Sequence, residues 1–129
     1  MDTRNKIIGL EQASALVLES SINQDHLKIV TGYFDVLLAE HVRRLREIAD
    51  GASRLLVVVL DPPDPVLAAR ARAELVAALD MVDYVVPADE HAAYALLGRF
   101  AGGEVVREES DDLLRAHRLR QHVQSRHQP

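Results

Sequence analysis

The residues Leu55–Leu60 form an unbroken apolar run in which three of the six side chains are valine. The run stops abruptly at the segment Asp61-Pro62-Pro63-Asp64-Pro65. A continuous valine-rich run of this length is typical of a central strand in a parallel sheet, covered on both faces. Because parallel neighbours need long crossover connections, this one segment predicts an α/β domain.

The apolar spacing along the rest of the chain alternates between the two periods expected for such a domain. Helices are predicted over residues 11–20, 39–49, 66–79, 90–97 and 111–123, and strands over 27–31, 55–60, 84–86 and 104–106. Strands alternating with helices imply βαβ crossovers. The prediction is therefore one α/β domain over residues 1–129, a Rossmann-like doubly wound parallel sheet. Ligands of such sheets bind beyond the carboxyl ends of strands, which points to the loops after Thr31 and Leu60.

Composition excludes several classes of function. The chain has no cysteine, so disulfides, thiolate metal sites and cysteine nucleophiles are excluded, and a reducing cytoplasmic location is expected. The net charge is −5, which argues against nucleic-acid binding. No apolar segment is long enough to span a membrane. No metal site is expected, because His117, His122 and His127 recur at intervals that scatter them around a helix.

One motif follows the first predicted strand. The residues Gly32-Tyr33-Phe34-Asp35 lead into a helix that has His41 near its start. The segment from Val30 to His41 resembles the signature of the cytidylyltransferase-like nucleotidyltransferases, which reads Gly-x-Phe-Asp, two residues, then His-x-Gly-His. Residues 6–19, 54–60 and 72–87 are also similar to the bacterial sugar-phosphate members, such as the heptose-1-phosphate adenylyltransferase domain. The resemblance covers about the first two-thirds of the chain.

The resemblance implies a reaction in which a sugar or polyol phosphate attacks the α-phosphate of a nucleoside triphosphate and releases pyrophosphate, with Mg²⁺ if the protein is active. A glycine after the strand lets backbone N–H groups approach the phosphates, and histidines stabilise the negative charge of the transition state. The resemblance assigns His41 as the catalytic residue. It assigns nucleotide binding to Gly32, Tyr33, Phe34, Asp35, His41 and Arg72. A homodimer is also expected.

The sequence also departs from the family signature at several positions, and these departures imply a damaged catalytic site. Leu38 replaces the first histidine and Glu40 replaces the glycine, which brings bulk and negative charge to the phosphate position. The basic loop of the family is replaced by residues 61–65, which are short and acidic. Its Ser/Thr-rich motif is replaced by residues 107–112, which include four acids. These departures predict a non-catalytic member that retains at most weak binding of a nucleotide or sugar phosphate.

Other interpretations of the same residues stay open at this level. Asp35 and Glu40 are compatible with simple capping of the helix that follows, and Arg72 with a solvated helix face. The acids that open the last helix are explained by its dipole alone. For function, one alternative is an active nucleotidyltransferase in which Glu40 holds Mg²⁺ against the phosphates. Another is a structural subunit without a ligand.

Overall fold

A computed structural model describes residues 2–23, 26–52, 54–100 and 103–127, with side chains to residue 125. The expectation for the His127 side chain therefore lies outside the described residues. A short 3₁₀ helix, Thr3–Lys6, precedes the regular elements. The helices are α1 Leu10–Asn23, α2 Ala39–Ala49, α3 Ala69–Ala77, α4 Glu90–Leu97 and α5 Glu109–His127. The strands are β1 Leu27–Gly32, β2 Arg54–Val59, β3 Tyr84–Pro87 and β4 Glu104–Arg107.

The four strands form one parallel sheet in the order β3-β2-β1-β4. The register of the central pair aligns Leu27 with Arg54 and Gly32 with Val59, so β1 and β2 end at the same edge. The pairing of β4 along the other side of β1 aligns Thr31 with Arg107. The predicted Rossmann-like α/β fold is confirmed.

The valine-rich strand is buried on both faces, as its composition predicts. Leu55, Val57 and Val59 belong to a core packed against α2 and α3. The alternate residues Leu56 and Val58 belong to a second core packed against α1 and α4. Successive side chains of a strand point to opposite faces, so one six-residue run supplies both cores.

The predicted element boundaries hold closely for α2 and α4 and differ at the other three helices, of which α1 ends at Asn23, three residues beyond its predicted end. The helix predicted over 66–79 begins only at Ala69 and ends at Ala77; Val66 and Leu67 lie in the preceding loop, where their backbone N–H groups donate to the Asp35 side chain. The last helix is longer than predicted at both ends. In the described part of the chain, no helix is both long enough and apolar enough to cross a membrane.

Candidate anion-binding site

The site lies at the carboxyl edge of the sheet, where the direction of strand order reverses. The chain passes from β1 to β2 and β3 on one side, and β4 then returns to the other side of β1. Such a switch point opens a crevice between the two loops that leave the strands. Here Gly32 ends β1, and Glu108 connects β4 to α5. The first turn of α5 is thereby placed directly over the Gly32 loop.

Two consecutive backbone N–H groups after Gly32 converge on one carboxylate oxygen. The N–H of Tyr33 donates to Oδ2 of Asp112 at 2.7 Å, and the N–H of Phe34 donates to the same oxygen at 3.3 Å. Between these N–H groups and α2 the chain turns sharply, and Phe34 has a left-handed backbone with φ of 51°. Successive N–H groups arranged in this way form a concave anion-binding nest. The anion in this nest is the protein's own Asp112.

His41 completes the enclosure of the carboxylate. It lies in the first turn of α2 and is 3% exposed. Its Nδ1 accepts the N–H of Leu38 at 2.8 Å, so the ring proton lies on Nε2. Nε2 therefore donates to Oδ1 of Asp112 at 2.6 Å. These three donors, the N–H groups of Tyr33 and Phe34 and the Nε2 of His41, form a cradle. The carboxylate of Asp112 accepts a hydrogen bond from each of them.

The environment of Asp112 favours its charged form. Burial by itself would raise the pKa of this carboxyl, but the hydrogen bond from His41 and those from Tyr33 and Phe34 outweigh it, so the pKa lies below its ordinary value of 3.8. Arg115, one turn further along α5, also lies 3.0 Å from Oδ1. The cradle thus holds a carboxylate anion at neutral pH.

This depressed pKa predicts how stability depends on pH. A group whose pKa is lower in the folded state stabilises the fold fully above its ordinary pKa, and that contribution is lost as the pH falls through the folded value. We expect the difference in unfolding free energy between wild type and Asp112→Asn to be constant above pH 3.8 and to narrow below it. Urea unfolding at a series of pH values measures this difference. A difference that grows on acidification would contradict the assignment.

Gly32 is required by the close approach of Asp112. A Cβ atom built on Gly32 would lie 2.6 Å from Oδ2 of Asp112 and 2.9 Å from the ring of Phe34. The first contact is with a hydrogen-bonded carboxylate rather than with the free end of a side chain. No glycine-specific backbone angle is involved, so the requirement is one of space.

We expect Gly32→Ala to lower the free energy of unfolding by about 1 to 3 kcal/mol, the usual cost of overpacking a filled site. The matched control is Gly98→Ala, where the nearest heavy atom is 3.5 Å away and φ is −64°. That change reduces the freedom of the unfolded chain and should stabilise the protein by roughly 0.4 to 1 kcal/mol. Urea unfolding of both variants checks the contrast; equal effects would show that Gly32 has room for a side chain.

Asp35 does not cap α2, so that interpretation was wrong. Its two carboxylate oxygens accept the N–H groups of Val66 at 2.7 Å and Leu67 at 2.8 Å. The carboxylate therefore fixes the loop between β2 and α3 against the loop that follows β1. Asp35 lies at the site, but its oxygens already have protein partners.

Arg72 is completely buried, so the interpretation of a solvated helix face was also wrong. Its guanidinium donates to the carbonyls of Leu67 at 3.0 Å, Tyr33 at 3.0 Å and Leu60 at 2.6 Å, and it pairs with Asp61. These carbonyls belong to the loops that follow β1 and β2. Arg72 thus joins the two loops from beneath, and its donors are directed to the protein itself.

An outer ring of charges ties α5 to α2. Arg44 donates to Glu108 at 2.6 Å, and Arg115 lies 3.4 Å from Glu40. Glu40 is half exposed, and its described ionic partner is this arginine. Three carboxylates, those of Glu40, Glu108 and Asp112, therefore surround the phosphate position that the family motif implies.

A cavity of about 270 Å³ opens beside the cradle. Its lining includes Tyr33 and Asp112, together with His117 and Arg120 of α5. Asp35 and Asp64 also line it, so its charges are mixed. The cavity gives small molecules in solution a route to Asp112 that does not pass through the core.

The structure brings the predicted residues Gly32, Tyr33, Phe34, Asp35, His41 and Arg72 to one edge of the sheet. Sequence reasoning did not identify Asp112, Glu108, Arg44 or Arg115 as site residues. A signal was present, because four acids stand where the family carries a Ser/Thr-rich motif. The strand order, which places the start of α5 beside Gly32, could not be predicted from the sequence.

Comparisons with known proteins support the resemblance seen in the motif. The chain is 34% identical over 101 residues to the bifunctional protein HldE of Sulfurimonas denitrificans, covering 70% of this chain and 21% of that protein. It is 29% identical over 106 residues to the HldE of Hydrogenovibrio crunogenus and 30% identical over 102 residues to that of Aliivibrio fischeri. The chain thus spans about a fifth of the length of these relatives. No protein-family model matches it.

A solved structure shows the same fold. The lipopolysaccharide core biosynthesis protein from Thermoplasma volcanium superposes with a TM-score of 0.50 and 20% identity. The match covers 64% of this chain and 94% of that one. At this identity the likeness concerns the fold alone, and it agrees with the parallel sheet described above.

Proposed function

The chain belongs to the cytidylyltransferase-like nucleotidyltransferase family, and from that premise we propose that it is a non-catalytic member whose phosphate site is filled by its own Asp112. One observation carries the proposal: the carboxylate of Asp112 accepts both N–H groups of the nest and the Nε2 proton of His41. Those are the donors that the family motif directs at phosphate. A triphosphate can reach them only by displacing an anion that is covalently part of the protein.

The replacements within the motif support the same conclusion. Leu38 offers no donor to a phosphate, and removal of one preorganised donor typically slows catalysis on the order of 100- to 1000-fold. Glu40 adds a negative charge at the helix start, where the motif has glycine. Two unit charges about 4 Å apart repel by roughly 4 kcal/mol at an effective dielectric of 20, so a triphosphate beside Glu40 and Asp112 is strongly disfavoured.

The remaining motif residues support a structural use of the old site. Asp35 and Arg72 hold the loops after β1 and β2 together through backbone N–H and carbonyl groups. His41 is oriented by Leu38 on one side and donates to Asp112 on the other. The motif residues thus stabilise the fold through internal contacts. This structural role explains their presence in a protein that does not catalyse the reaction.

An assay of pyrophosphate release tests the proposal. Wild type is incubated with Mg²⁺, with ATP or CTP, and with a panel of sugar and polyol phosphates. We expect no release above that of His41→Ala. The matched control is His91→Ala, which changes an exposed histidine on α4. Pyrophosphate release by wild type that is lost in His41→Ala and kept in His91→Ala would overturn the proposal. That result would favour an active nucleotidyltransferase.

A further inference from the structure

The attachment of α5 to the rest of the domain is polar. From residue 108 to residue 125, where the structure describes the side chains, the only buried ones are Glu108 and Asp112. Leu113 and Leu114, which follow directly, are about half exposed. The other helices bury apolar residues in one of the two cores. A helix held in this way can leave its place while exposing little apolar surface to water.

Besides the hydrogen bonds of the cradle, charge pairs hold α5 in place. Arg115 lies 3.0 Å from Asp112 and 3.4 Å from Glu40, and Glu108 accepts from Arg44 at 2.6 Å. Pairs with a half-exposed partner, such as Arg115 with Glu40 and Arg44 with Glu108, contribute little stability, and for the buried pair of Arg115 with Asp112 the cost of removing both charges from water offsets their attraction. The described contacts also leave Oε2 of buried Glu108 without a hydrogen bond. The nearest described cation to this oxygen is Arg115 at 3.6 Å, and a buried polar atom without a hydrogen bond favours states in which water can reach it.

The donors of the cradle belong to segments other than α5. Tyr33 and Phe34 belong to the loop after β1, and His41 is oriented by the Leu38 N–H within α2. Arg72 supports that loop through the Tyr33 carbonyl from the opposite side. Withdrawal of Asp112 therefore leaves three donors without their anion beside the cavity that Tyr33 and Asp112 line. Such a group of donors suits a compact oxyanion.

We propose that α5 is a releasable latch in which Asp112 competes with an external phosphate group for the cradle. The inference rests on the proposed function, since it takes the filled cradle as the resting state. When the contacts of Asp112 and Arg115 open, the two N–H groups and His41 Nε2 bind a phosphate group that enters through the adjoining cavity. The chemistry recognised is that of inorganic phosphate or a phosphate ester.

The population of the open state sets the observed affinity, because the apparent Kd equals the intrinsic Kd divided by the open fraction. Wild type should therefore bind phosphate weakly, and any change that favours opening should tighten binding. Arg115→Gln removes the pairs to Asp112, Glu40 and Glu108 and leaves every cradle residue in place. Asp112→Asn removes the competing charge itself. Both variants should tighten binding by roughly tenfold or more, the response expected when a rarely open site opens more often.

The test is a titration with inorganic phosphate at constant ionic strength, followed through the amide resonances of Tyr33 and Phe34. Arg118→Gln and Asp111→Asn are matched controls, since they remove the same charges at exposed positions of α5. Parallel titrations with AMP and ATP distinguish free phosphate from a phosphate ester. Tighter binding in Arg115→Gln and Asp112→Asn, but not in the controls, is the expected result.

Two results would overturn the latch. One is a phosphate affinity of Arg115→Gln equal to that of Arg118→Gln, and the other is a phosphate affinity of folded Asp112→Asn equal to that of Asp111→Asn. Arg115→Gln keeps Asp112, so it provides an answer even where Asp112→Asn fails to fold. Failure here is distinct from failure of the proposed function. Pyrophosphate release by wild type refutes the lack of catalysis, whereas unchanged phosphate affinity refutes only the latch.

Discussion

Asp112→Ala is expected to lower the free energy of unfolding by about 3 to 5 kcal/mol, the range found when one partner of a buried charged network is removed. The carboxylate accepts from Tyr33, Phe34 and His41, and it lies against Arg115. Alanine leaves these donors without an acceptor, and each buried unpaired donor costs on the order of 1 to 3 kcal/mol. Water that enters the space left by the carboxylate pairs with some of these donors, so the total cost is smaller than the sum of the individual costs.

Urea unfolding followed by circular dichroism measures this effect. The matched control is Asp111→Ala, which removes the same charge from an exposed neighbour in α5 and should change stability by at most about 0.5 kcal/mol. Asp112→Asn should fall between wild type and Asp112→Ala, because an amide oxygen can still accept from the nest. Equal losses in the Asp111 and Asp112 alanine variants would mean that the carboxylate does not occupy the cradle.

Arg72→Leu is expected to have a second effect of similar size, a loss of about 3 to 5 kcal/mol, because it leaves several buried acceptors unpaired. Leucine fills part of the volume but donates nothing to the carbonyls of Tyr33, Leu60 and Leu67. The loops after β1 and β2 would lose their common support. The cradle would be disturbed with them, since the Tyr33 carbonyl belongs to the same loop as the nest.

The control for Arg72 lies two residues earlier on the same helix. Arg70 is exposed and pairs with Glu74 one turn away, so Arg70→Leu should cost at most about 0.5 kcal/mol. Arg72→Lys tests the geometry of the interaction, because one ammonium group cannot reach the acceptors that a planar guanidinium bridges. Full stability in the lysine variant would show that charge alone suffices and would contradict the bridging role.

Much of the fold could be predicted from the sequence because the signals are local. The valine-rich run over 55–60 predicts a strand buried on both faces, and the structure divides its side chains between two cores. Asp50-Gly51 predicts the end of α2, and that helix ends at Ala49. These features depend on side-chain periodicity and on backbone preferences, which act over a few residues.

The candidate site was only partly predictable, because its contacts join distant segments. Asp112 lies 71 positions from His41 and 79 from Tyr33 in the chain. The acids at the start of α5 look like ordinary partners of a helix dipole until the strand order places β4 beside β1. Arg72 gives no sequence signal of burial, since its environment is made of carbonyls from two loops. Long-range polar contacts of this kind carry no periodic pattern.

The most direct test of the central claim is the behaviour of the Tyr33 and Phe34 amides in wild type. If Asp112 fills the cradle, both N–H groups are protected from hydrogen exchange at neutral pH. Their resonances should then respond to protonation of a carboxyl below its ordinary pKa and stay unmoved by micromolar ATP with Mg²⁺. Fast exchange of both amides, together with a saturable shift at micromolar ATP, would show instead that the cradle is open and ready for a nucleotide.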